Sequence, residues 1–183
     1  NLLLINWFSD SLKFYKSTKL KFKIKNLNYK TSMCKENYFQ LLKEVIEERI
    51  PFNKLIGLKI EKLDLESIGI RFKMRPELVG NFMRGNLHGG VISTVLDLTG
   101  GMVAWAGIMN NTKELSFEEV TERFAKIGTV DLRVDYLRPG LGKYFVSTGS
   151  ALRTGKKLSV ARMELHNDEG LLISVGTGSY VVG

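Results

Sequence analysis

Two periods of apolar spacing alternate along this chain, and each change of period marks an element. Over Lys35 to Ile50, Phe39, Leu42, Val45, Ile46 and Arg49 fall at helical spacing, which predicts an amphipathic helix closed by Pro51. Leu58 and Ile60 then alternate with Lys59 and Glu61, and Ile68, Ile70, Phe72 and Met74 with Gly69, Arg71, Lys73 and Arg75. Period 2 predicts two strands with one wet face, turning near Glu66 and Ser67. Pro76 to Leu87 reads as a loop. His88 to Met109 is the most apolar segment, and Val91, Val95, Leu98, Met102 and Trp105 form one helical stripe along it.

The last third returns to period 2. Val130, Leu132, Val134 and Tyr136 alternate with Asp131, Arg133 and Asp135, up to a turn at Pro139-Gly140. Strands are expected near Lys143–Arg153, Leu158–His166 and Leu171–Val182, joined by turns at Thr154-Gly155-Lys156 and Asn167-Asp168-Glu169-Gly170. Between the long helix and these strands, Ser116 and Glu119 have the spacing of a capping box. Runs of strands rather than strict strand–helix alternation predict an α+β fold, an antiparallel sheet wrapped around the apolar helix. Asp97, Ser93, Thr94 and Gly100-Gly101 interrupt that helix, which argues against a membrane span.

Charge changes the picture at one end only. The 183 residues carry a net charge of +8, which alone would point to nucleic acid, anionic membrane or a phosphorylated ligand. Seven lysines against Asp10 put +6 of it in residues 1–32, so 33–183 is nearly neutral. Residues 1–32 also lack Gly, Pro, Ala, Val and Glu. They read as a basic extension of translated upstream sequence before a natural start at Met33, or else as a basic surface tail, with one domain over 33–183. A nucleic-acid partner and stable membrane insertion are not expected, and the cytoplasm is. One cysteine, Cys34, and two histidines exclude an intramolecular disulfide and supply a zinc shell poorly. Neither metal nor cofactor is expected.

Asp97 is the residue with the most chemistry to explain. Its neighbours one helical turn away are Ser93, Thr94, Gly100 and Gly101. A carboxylate in an apolar helix needs hydrogen-bond partners or a wet site, so either Ser93 and Thr94 satisfy it or it acts as a base. The same helix starts at Asn86-Leu87-His88-Gly89-Gly90. A helix N-terminus with two glycines exposes N–H groups to a ligand oxygen and suits a developing oxyanion. Eight residues separate Gly89 from Asp97, about 12 Å along one helix. Serving a single reaction centre therefore requires two antiparallel helices from a homodimer.

Taken together, Gly80-Asn81, Leu87-His88-Gly89-Gly90-Val91-Ile92, Leu96-Asp97 and the run Thr129 to Gly140 resemble the hotdog-fold acyl-CoA thioesterases of the PaaI type. Within that branch the likeness is to the YigI-like medium- and long-chain acyl-CoA thioesterases, over roughly residues 36–182. The resemblance implies a sheet around a central helix, dimers formed through a continuous sheet and often tetramers, and metal-free hydrolysis of acyl-CoA. By position it makes Asp97 the general base or the nucleophile. Gly89, with Gly90 beside it, would polarise the thioester carbonyl from the opposite subunit, His88 would organise that turn or bond near the thioester, and Thr129 would help place water. Six positions before the histidine, where relatives often carry a polar residue, this chain has Phe82, with Asn81 next to it.

CoA brings phosphates, for which Arg153, Lys156 and Lys157 at the Thr154-Gly155 turn are the first candidates and Arg138 the second. Leu78, Phe82, Met83, Trp105 and Met109 are available for a medium or long acyl chain. The alternative is a non-catalytic acyl-CoA-binding sensor, although residues 33–50 are too short for the DNA-binding domain that such regulators carry. A hotdog dehydratase would need a His and acid pairing that is missing here.

Overall fold

A computed structural model of the protein describes residues 35–64, 67–110 and 123–182. The basic extension, Cys34 and the Ser116/Glu119 pair lie outside the described residues. Helix α1 (Lys35–Glu44) runs into a π-helical turn, Val45–Arg49, and a short helix α2 (Pro51–Ile56). Pro51 thus opens a helix as well as closing one. Its ring fixes φ for a first helical position, while Ile50 before it is extended at ψ 112°.

Strands β1 (Lys59–Leu63) and β2 (Ile68–Lys73) follow at the expected positions. The expected loop contains a 3₁₀ turn at Pro76–Leu78 and a small ladder of β3 (Val79–Asn81) with β4 (Asn86–Leu87). The long helix α3 spans Gly89–Asn110. After it come β5 (Gly128–Tyr136), β6 (Tyr144–Thr154), β7 (Leu158–Asn167) and β8 (Leu172–Val181). These four strands and the first pair form one antiparallel sheet in the order β1-β2-β6-β7-β8-β5.

The sheet wraps α3, the hotdog arrangement that the resemblance implies. From Ser159 onward β7 alternates buried and half-buried positions without a break, so Ala161, Met163 and Leu165 face the helix. Phe72 of β2 stacks on Phe145 of β6 at 5.3 Å. On α3 the sheet-facing line is Ile92, Leu96, Thr99, Val103 and Ala106, all buried. This line is turned by one residue, about 100°, from the predicted stripe. Val91 and Leu98 of that stripe are only half-buried, and buried Trp105 meets Phe39 of α1 edge-on at 6.2 Å. The bulkiest residues do not mark the contact line because close approach favours small ones. A Cβ added at Gly149 of β6 would come within 2.8 Å of the Thr99 and Val103 methyls. At this seam Thr99 Oγ1 lies 2.7 Å from both Val95 O and the buried Ser147 Oγ.

Candidate active site

Two clusters form on α3, one at its first turn and one around Asp97. At the first turn, the His88 N–H donates to Leu78 O at 2.8 Å, and His88 O accepts from Val91 and Ile92. The Gly90 N–H donates to His88 Nδ1 at 2.9 Å, so the imidazole caps the helix through an unprotonated Nδ1. A Cβ at Gly90 would crowd that nitrogen. With Gly90 engaged, Gly89 carries the first N–H without an acceptor among the described residues. Tyr136, at the end of β5, donates its hydroxyl to Gly89 O at 3.2 Å and lays its ring against that glycine.

Around Asp97 the partners are not those the local sequence offers. Ser93 and Thr94 both donate to Gly90 O, at 3.1 and 2.8 Å, as helical hydroxyls commonly do. The carboxyl is held from another element, because Thr129 Oγ1 donates to Asp97 Oδ1 at 2.9 Å. That bond fixes the carboxyl rotamer at a half-buried position. From β8, the buried Tyr180 donates its hydroxyl to the main-chain O of Asp97 at 3.2 Å. Burial, and after it the nearby Asp97 charge, push the Tyr180 phenol far above its ordinary range, so it stays a neutral donor.

The remaining candidates are spread out. Asn81 accepts the Met83 N–H on its Oδ1 at 3.0 Å and thereby shapes its own turn. Arg153, Lys156 and Lys157 stand exposed around the β6–β7 turn. Thr154 in that turn packs on Gly107 of α3, ten residues past Asp97, about 15 Å along the axis. Arg138 has one guanidinium nitrogen committed to Leu172 O at 2.9 Å. Of the apolar set, Leu78 and Trp105 belong to the core, so they are filling rather than open wall, and Met109 is half-buried. Phe82 and Met83 are 88% and 80% exposed at the tip of the β3–β4 hairpin.

Sequence reasoning missed Tyr180 and the contact of Tyr136 with the helix start. A hint of the first was present in Gly176-Thr177-Gly178-Ser179-Tyr180. Glycines on alternate positions of a strand mark a close approach by another backbone.

Comparison with known proteins shows the family and the fold. Residues 84–174 match the family model described as Thioesterase superfamily. The medium/long-chain acyl-CoA thioesterase YigI of Escherichia coli is 42% identical over 148 residues, covering 81% of this chain and 96% of the relative. A crystal structure from Shewanella oneidensis, of a protein related to the thioesterase superfamily, superposes with a TM-score of 0.78 at 44% identity, covering 81% of this chain and 97% of that one. A Syntrophus aciditrophicus protein proposed to be a thioesterase gives 0.74, also at 44% identity and over the same shares.

Proposed function

The chain belongs to the thioesterase superfamily, and from that membership we propose that it hydrolyses acyl-CoA thioesters at a site shared between two copies. Each centre takes Asp97 and Thr129 from one protomer and the Gly89 N–H from the other. The observation that carries this reading is the Thr129–Asp97 bond on the same helix whose first turn presents an N–H unengaged among the described residues. The separation of about 12 Å between the two groups along α3 calls for an antiparallel second helix.

Water attacks the thioester carbon while Asp97 takes its proton, and the carbonyl electrons move onto the oxygen held by the Gly89 N–H. Collapse of the tetrahedral intermediate breaks the C–S bond, and Asp97 returns the proton to the departing thiolate. Thr129 spends its one hydroxyl proton on Asp97, so it offers lone pairs to the water. His88 keeps the first turn shaped so that Gly89, rather than Gly90, is the donor.

The copies meet along β5, the last strand of the sheet. The Leu137 N–H donates to Ile173 O, and Asp135 O accepts Ser174 Oγ, which sets the phase of the strand. Alternate residues Leu132, Val134 and Tyr136 then present N–H and C=O to the outer edge. Arg153, Lys156 and Lys157 receive the CoA phosphates, at a reach that an extended pantetheine arm covers. Phe82 and Met83 supply apolar surface for a medium or long acyl chain, in keeping with the substrates named for YigI.

Free CoA release from acyl-CoAs of increasing chain length, with Asp97→Ala beside wild type, tests the reading. Asp97→Ala is expected to lower turnover by about 10²- to 10⁴-fold at unchanged sedimentation. Retained turnover would remove Asp97 from the mechanism.

A further inference from the structure

We propose that Tyr180 is a positioning residue for Asp97, holding the turn of α3 that carries the carboxylate in a cradle kept open by Gly100 and Gly178. The proposal rests on the reading of Asp97 as the base. Tyr180 projects from β8 to the seam with α3, and its hydroxyl reaches the main-chain O of Asp97 at 3.2 Å, with the Asp97 carboxylate close beside it. A Cβ on Gly100 would overlap that hydroxyl, and one on Gly178 would come within 2.6 Å of it.

Packing alone does not account for this arrangement. A phenylalanine would fill the ring volume with nothing to desolvate, whereas a buried hydroxyl needs a partner. Glycine is also the poorest helix former after proline, and it weakens a strand interior. The chain nevertheless places one in each element where the hydroxyl must fit. The oxygen it reaches already accepts the N–H four residues on in an α-helix, so the phenol adds a second donor that ties this turn to the sheet. Thr129 holds the carboxyl itself from β5. Two hydroxyls from two strands thus fix the backbone and the rotamer of one residue. Thr129 and Tyr180 are the groups set against Asp97 among the described residues, and no ion pair reaches it.

The deciding experiment is Tyr180→Phe in the full chain, assayed with one acyl-CoA, next to Asp97→Asn. Loss of the hydroxyl is expected to lower kcat about tenfold with KM within about twofold, since a slightly misplaced base costs rate rather than binding. Gly100→Ala, which drives a Cβ into the hydroxyl, should reproduce this effect. Wild-type kcat in Tyr180→Phe, with Asp97→Asn inactive, would overturn this proposal alone. A kcat loss that only tracks a loss of folded protein would overturn it as well. Turnover by Asp97→Asn would instead sink the functional reading beneath it.

Discussion

The two outer strands of the sheet, β1 and β5, treat their free edges in opposite ways. The edge of β1 is covered: Glu47 of the π-helical turn accepts the Ile60 N–H at 2.8 Å. Lys59 pairs with Glu47 and Glu48, each at 2.9 Å. Charge and a covering segment are common devices against edge-to-edge pairing. Strand β5 is nine residues long, mostly exposed, and unpaired on its outer side among the described residues. It also leaves Val130 and Tyr136 more than half exposed. The bare edge of β5 is the one on which the proposed second copy sits.

The largest effect should come from closing the open edge. Val134→Pro removes an outward N–H and spares the inward bonds to β8. It should give a monomer whose turnover is lower by about 10²- to 10³-fold, the usual cost of losing an oxyanion donor. Sedimentation velocity and the CoA-release assay would measure both, and an active dimer would take β5 out of the assembly. Opening the covered edge should cost stability rather than activity. Glu47→Ala leaves the Ile60 N–H at a buried residue without its acceptor, a loss of about 1–3 kcal/mol in a urea titration at unchanged kcat.

The smallest effect belongs to Lys59→Ala, since that side chain is solvated and screened by salt. The Lys59 contact holds the Glu48 carboxyl below the usual range, and the Glu48 contact raises Lys59. Their mutual stabilisation is therefore present between the ordinary carboxylate and lysine ranges. It fades as falling pH protonates Glu48, and again at strongly alkaline pH. The difference in melting temperature between Lys59→Ala and wild type should accordingly shrink in acid.

Periodicity made the strands, the long helix and their order legible, because apolar and polar residues alternate along the strand sequences, as burial does along β7. The rotation of α3 was not legible, because side-chain bulk favours Trp105 and Leu98 over Thr99 and Ala106, while the sheet selects for closeness. Nor does local pattern reveal the partners of Asp97. Ser93 and Thr94 sit at the right spacing yet bond Gly90 O, and the true partners stand 32 and 83 residues further along. Thr129 was nominated only through the likeness to known enzymes. Tyr180 escaped notice because its acceptor is a backbone oxygen, which no residue type advertises.

The hydroxyl pair between Thr99 and Ser147 serves the helix as a key serves a shaft. An apolar stripe alone tolerates some roll about the helix axis, since one methyl replaces another at little cost. Rolling α3 would pull the two hydroxyls apart and leave the buried Ser147 hydroxyl without acceptor, donor or water, at about 1–3 kcal/mol, while Thr99 keeps Val95 O. Asp97 lies two residues before Thr99, about 200° around the same cylinder. Locking the angle at Thr99 therefore also sets the bearing of the carboxylate, from the dry side of the helix and without touching it.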